Sequence, residues 1–142
     1  MTERRNRQLN ACDYRQLADF RYTLRRFLHF SEDAARQAGL TPQRHQLLLA
    51  IKGFPEGREP TVGDAAERLG VRHHSAVGLA QRLEDAGLLQ RIHYLHDRRR
   101  VRLRLTAEAE EQLARLTQSH LDELQRLRSL LVGLLGTASE AG

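Results

Sequence analysis

Residues 96–106 of the 142-residue chain read HDRRRVRLRLT. The stretch holds five arginines (Arg98, Arg99, Arg100, Arg102 and Arg104) and one acid, Asp97. A guanidinium is a planar, permanently charged fork whose N–H groups match phosphate oxygens and the edge of guanine. Val101, Leu103 and Leu105 alternate with Arg100, Arg102 and Arg104. In an extended strand the arginines therefore share one face and the apolar residues the other. The chemistry on offer is recognition of a polyanion rather than the making or breaking of bonds. A merely solvated hairpin face is the competing reading.

Other residues with chemical capacity give less. Four of the seven histidines, His73, His74, His93 and His96, lie near the arginines. Imidazoles with carboxylates suit zinc, but no cysteine joins them and His93-x-x-His96 runs into a hairpin tip, so no metal is expected. Polar histidines facing a polyanion, stronger when protonated, are the alternative. Cys12, in NACDY, is the one cysteine. It cannot form an internal disulfide and fits a reducing cytoplasm. Paired carboxylates at useful spacing, a nucleophile with its base and a phosphate-cradling glycine loop are all missing. The chain is therefore not expected to be an enzyme, and no cofactor is implied.

The charge balance sharpens this. Net charge is +5 with a pI near 10.3. Between Val71 and Thr106 stand eight arginines against three acids, and elsewhere 15 basic residues balance 15 acidic ones. The whole excess sits in one quarter of the chain, the footprint of a polyanion-binding surface. Lys52 is the only lysine. That bias fits arginine's aptitude for phosphate and guanine, and equally a GC-rich genome. With 40% hydrophobic content and no Trp, the core is aliphatic and modest, so part of the apolar surface calls for a partner subunit. No apolar run is long enough to span a membrane, and MTERRNRQLN lacks the apolar stretch of a signal peptide.

The elements that must position these residues follow from periodicity and punctuation. Residues 1–142 read as one domain. Residues 13–38 predict a long amphipathic helix through Leu17, Phe20, Leu24, Phe27 and Leu28, stopped by Gly39. Thr41-Pro42 restarts a helix that carries Leu47, Leu48, Leu49 and Ile51 and ends at Lys52-Gly53. A loop covers residues 54–60. Thr61 and Asp64 have capping-box spacing ahead of a short helix, Asp64 to Leu69, closed by Gly70. A further helix runs from Arg72 or His73 to Asp85, with Val77, Leu79 or Ala80, and Leu83 inward. Leu88 to Tyr94 and Arg100 to Leu105 alternate as two strands with a charged tip between. Thr106 caps a last helix over residues 106–136, with Glu108, Glu110 and Glu111 at its positive end. Its stripe comprises Leu113, Leu116, Leu121, Leu124, Leu127, Leu131, Leu134 and Leu135. The expected fold is mainly α with a small β-hairpin wing: a helix-turn-helix and wing over residues 41–105, flanked by the helices at 13–38 and 106–136.

The runs TVGDAAERLGVRHHSAVGLAQRLEDAGLL, residues 61–89, and DRRRVRLRLT, residues 97–106, resemble the MarR family of bacterial transcription regulators, as does TPQRHQLLLAI, residues 41–51. The likeness covers about residues 13–136. It implies a cytoplasmic winged-helix regulator, most simply a repressor, whose first and last helices form a homodimer on a pseudo-palindromic double-stranded operator. It assigns the minor groove to Arg99, oriented by Asp97, and phosphate contacts to Arg98 and Arg100. The major groove falls to the helix carrying Arg72, His73, His74, Ser75, Gln81 and Arg82. Two positions depart from the family's pattern: Arg72 stands where an N-capping Ser or Asp is common, and Gly78 where an arginine often reads a base. The resemblance also implies a small aromatic or anionic effector, for which Phe20, Arg21, Arg25 and His45 are the candidates, with core and dimer packing as their alternative. Two other readings are a redox-sensing regulator acting through Cys12, which would precede the first helix, and a non-specific basic nucleic-acid-binding structural protein.

Overall fold

The computed structural model describes residues 8–94 and 96–140; the side chains of residues 97–99 and 135–140 fall outside the description. The basic start at residues 1–7, Leu95, and the side-chain roles expected of Asp97, Arg98, Arg99 and Leu135 therefore lie outside the described residues. The order of elements is α1 (Ala11–Gln37), α2 (Pro42–Lys52), a 3-10 turn (Pro55–Gly57), α3 (Val62–Leu69), α4 (His73–Asp85), β1 (Leu89–Tyr94), β2 (Asp97–Leu105) and α5 (Ala107–Glu140). This is the expected mainly helical fold with one antiparallel hairpin. None of the described helices is long and apolar enough to cross a membrane.

Local chemistry sets most boundaries. Thr41 accepts a hydrogen bond from the Arg44 amide at 3.2 Å, and Pro42 opens α2. Thr61 and Asp64 form the reciprocal capping box, at 3.1 and 3.0 Å, so α3 begins at Val62, two residues before the predicted start. Gly70 closes α3 in the left-handed region (φ 66°), where a Cβ is penalised. The Thr106 hydroxyl accepts from the Ala109 amide at 3.2 Å and caps α5. A second capping box was not anticipated. Asn10 and Asp13 exchange bonds of 2.9 and 3.1 Å, which starts α1 at Ala11 and puts Cys12 inside its first turn rather than ahead of it.

The chain divides into two compact units: Glu32–Ser119, and the residues up to Ser31 together with those from His120. The Glu32–Ser119 unit holds the core. Leu47 and Leu48 of α2, Leu83 of α4, Leu89 of β1 and Leu103 of β2 are fully buried, and Ala65, Ala76 and Ala80 let α3 and α4 approach closely. Each fully buried leucine contributes about 1.5–3 kcal/mol. In the other unit His120 is buried against the ring edges of Phe27 and Phe30 (centroids 6.0 and 5.5 Å apart) and bonds the Ser31 hydroxyl at 2.8 Å. The Gln16 amide donates to the Leu134 carbonyl. Many large apolar residues of this unit remain exposed: Leu17, Phe20, Leu24 and Leu28 on α1, and Leu121, Leu124 and Leu130 on α5.

Candidate nucleic-acid interface

The α3–turn–α4 pair is built by the capping box at one end and Gly70 in the middle. Ala76, Leu79, Ala80 and Leu83 face the core at three- and four-residue steps. This corrects the predicted phase: Val77, expected inward, is 37% exposed, and Ala76 at 1% takes its place. With that stripe inward, Arg72, His73, His74, Ser75 and Arg82 are exposed. The Arg72 side chain makes no cap, so α4 starts without a side-chain acceptor on its first amides. Nothing lies within 4 Å of a Cβ built on Gly78, which leaves a gap in side chains on a half-exposed position of α4.

Gln81 has other engagements. Its amide donates to Asp85 at 2.9 Å, and its oxygen accepts from Arg91 of β1. Arg91 also donates to Glu84, from its backbone amide at 3.0 Å and its guanidinium at 3.1 and 3.2 Å. The guanidinium bond, joined by the backbone one, holds the Glu84 carboxyl below its ordinary range. Arg91 is thus a brace between α4 and β1, and its charge is neutralised in place.

The hairpin pairs Leu89 with Leu105 through His93 with Val101 in regular antiparallel register. The register then shifts, and Tyr94 pairs with Asp97. Three residues of β2, 98 to 100, are therefore inserted against no residue of β1. The wing's arginine run sits at a bulge, a feature that re-aims side chains. β2 also begins at Asp97 rather than at the predicted Arg100, so Asp97 to Arg99 belong to the strand and not to a separate tip. The expected alternation is present: Leu103 and Leu105 are buried, Val101 is half-buried, and Arg100 and Arg104 are exposed.

The segment before α3 completes the wing. Leu103 donates its amide to the Pro60 carbonyl at 2.8 Å, and Thr61 makes an isolated bridge with Arg102. Arg102 donates to the Glu59 carbonyl at 2.8 Å and lies 5.5 Å from the centre of the Tyr94 ring. Arg104 pairs with the Glu59 carboxylate at 2.5–2.7 Å. The sequence gives no local hint of Glu59's part, because the contact spans more than 40 residues and follows no period. A cleft of about 570 Å³ opens between α3, α4 and the wing, lined by Arg58, His73, Arg91, Arg100 and Arg102. Asp64, also on this cleft, accepts the Thr61 amide, and that bond holds its carboxyl below the ordinary range.

The remaining candidates are scattered. Phe20, Arg21 and Arg25 are exposed on α1, whereas His45 of α2 is 3% exposed and belongs to the interior of the other unit. Cys12 is exposed. His93 and His96 are exposed, and no group of three His, Cys, Asp or Glu among the described residues could hold a metal ion.

Comparison with known proteins places this geometry. Residues 38–100 match the sequence model of the MarR family. No curated protein is similar in sequence to the chain. Among solved structures, AbsC of Streptomyces coelicolor, a MarR family transcriptional regulator, is 20% identical, with a TM-score of 0.69 over 96% of this chain and 97% of AbsC. The S. aureus MepR–DNA complex gives 20% identity and a TM-score of 0.62 over 87% and 98%. BpsR of Bordetella bronchiseptica, whose DNA binding is regulated by 6-hydroxynicotinic acid, gives 20% and 0.61 over 87% and 91%. The fold shared with them is the winged helix.

Proposed function

We propose that the chain is a sequence-specific DNA-binding transcription regulator without catalytic activity, a reading supported by the match of residues 38–100 to the MarR family model and by the winged-helix fold. The observation that carries the reading is the exposed face of α4, where Arg72, His73, His74, Ser75 and Arg82 stand beside an arginine-bearing wing. On this reading α4 enters the major groove and the wing follows the adjoining minor groove, where negative potential is strongest over narrow A·T-rich sequence. Arg99, set by Asp97, is the minor-groove residue. Arg98 and Arg100 contact phosphates, which add affinity and salt dependence but little sequence information.

The active form is a homodimer joined through α1 and α5, supported by the exposed leucines and Phe20 on these helices. Two-fold symmetry then calls for a pseudo-palindromic operator with half-sites about one helical turn apart. The regulator acts in the cytoplasm as a repressor, and a small aromatic or anionic effector releases it. BpsR offers a parallel for such an effector. Phe20, Arg21 and Arg25, all exposed on α1, supply rings and cations suited to it.

One observation favours a second reading. Gln81 is occupied by Asp85 and Arg91, and Gly78 offers no side chain, so few base-reading groups remain on α4. A non-specific nucleic-acid-binding protein would look similar. Mobility shifts with the gene's own upstream duplex and a scrambled duplex of equal length separate the two. Preference for the upstream duplex, with a protected footprint that aromatic acids erase, is the expected result. Equal affinity for both duplexes would favour the non-specific reading.

A further inference from the structure

The five arginines of HDRRRVRLRLT are not equivalent, because two of them converge on one residue of the loop before α3. Arg104 gives Nε and Nη2 to Oε1 of Glu59, and Arg102 gives Nη1 to the Glu59 carbonyl oxygen. The next two residues of the loop, Pro60 and Thr61, are tied to the same strand through main-chain contacts with Leu103 and Arg102. Pro60 is fully buried. The second carboxylate oxygen of Glu59, Oε2, is buried with no hydrogen-bond partner among the described residues. Oε1 thus takes both described contacts to this carboxylate, each from the Arg104 guanidinium, while the two side chains stay 30% and 53% exposed.

We propose that Glu59 is a positioning residue that withholds Arg104 from nucleic acid while fastening β2 to the entry of α3. The wing charge left for nucleic acid then lies on the β2 residues before Leu103. The proposal rests on the DNA-binding reading above. An arginine that reaches a phosphate releases about one counterion and tightens binding to every sequence alike. An arginine paired with a carboxylate adds less of that attraction, yet its stem still covers the strand. Glu59 therefore trims sequence-independent binding and, by the same contact, fastens β2 to the entry of α3.

The test compares the full chain, Glu59→Gln, Arg104→Ala and the double variant. Each is titrated with a labelled mixed-sequence duplex over a salt series, with amide hydrogen exchange measured in parallel. Glu59→Gln keeps the size of the side chain but frees the Arg104 charge. The expected result is a slope of log affinity against log salt that steepens by up to about 0.9 in Glu59→Gln. In the Arg104→Ala background the same substitution should leave the slope unchanged. Equal steepening in both backgrounds would mark a general charge effect and overturn the proposal, as would no steepening in either. Should the unaltered chain bind no duplex, it is the DNA-binding reading that fails; exchange at Leu103 then decides the fastening by itself. Faster exchange in Glu59→Gln supports it, and unchanged protection refutes it. If Glu59→Gln does not fold, Glu59→Asp, which keeps the charge on a shorter arm, serves in its place, with a smaller steepening expected and none again counting against the proposal.

Discussion

Arg91 and Glu84 are joined by the main chain and the side chain at once: the Arg91 amide and guanidinium both donate to the one carboxylate. Through this pair the first wing strand is fastened to the helix that faces the proposed major groove. The arrangement fixes a pH dependence. The Glu84 carboxyl is held below its ordinary range by Arg91, and that of Asp64 by the Thr61 amide. A carboxyl lowered in the folded state contributes stability that is complete above its unfolded pKa of about 4 and is lost as pH falls through the folded value. The thermal midpoint should therefore be flat from neutrality down to about pH 5 and fall below about pH 4. Glu84→Gln should lower the midpoint near neutrality and flatten its acid limb. An unaltered acid limb in that variant would show that the pair does not contribute to it.

The wing prediction concerns Arg99. Arg99→Ala should weaken operator binding by about 1–3 kcal/mol and leave the oligomeric state unchanged. Fluorescence anisotropy on the footprinted site, paired with sedimentation, measures both. Unchanged affinity would remove Arg99 from the minor groove.

Gly78 can be replaced without collision, since a Cβ there meets nothing within 4 Å. Gly78→Ala should stabilise α4 by up to about 1 kcal/mol, which is about 3–6 °C in the thermal midpoint for a domain of this size. Gly78→Arg should add about one unit to the salt slope of duplex binding. A drop in stability for the alanine variant would mean that the helix needs a glycine here for a reason other than space.

The exposed leucines of α5 predict the assembly. Replacing Leu121 and Leu124, 51% and 40% exposed, by glutamate should convert a dimer to monomers at micromolar concentration while the circular dichroism of the helices persists. Sedimentation equilibrium checks this. A native chain that is already monomeric would refute the dimer and the two-fold operator together.

Much of the fold was legible because its boundaries are written in adjacent residues. Thr41-Pro42, Thr61 with Asp64, Gly70 and Thr106 each act through the next three or four backbone groups, so spacing suffices to find them. Three failures have physical causes. The inward phase of α4 was misread because Ala76 and Val77 are both apolar, and the smaller one faces the closely packed α3. The start of β2 was placed late because three consecutive arginines break the two-residue alternation where the bulge intervenes. The tie from Glu59 to Arg102 and Arg104 joins residues with no shared period, so only the folded chain reveals it. Of the candidate site, the exposed α4 residues were named from the sequence, whereas the bracing of Gln81 by Arg91 could not be, since it depends on where β1 returns.

Arg91 and Leu103 are partners across the hairpin, and both turn their amides away from it, to Glu84 on one side and to Pro60 on the other. A two-stranded hairpin ordinarily presents two rows of unpaired amides to any extended chain that drifts by. Here the outward donors at this level are already taken, and Pro60 has no N–H with which to recruit a further strand. The tethers that steady the wing thus also blunt its edges. Where copies of the chain crowd together, this hairpin offers few free donors for edge-to-edge pairing.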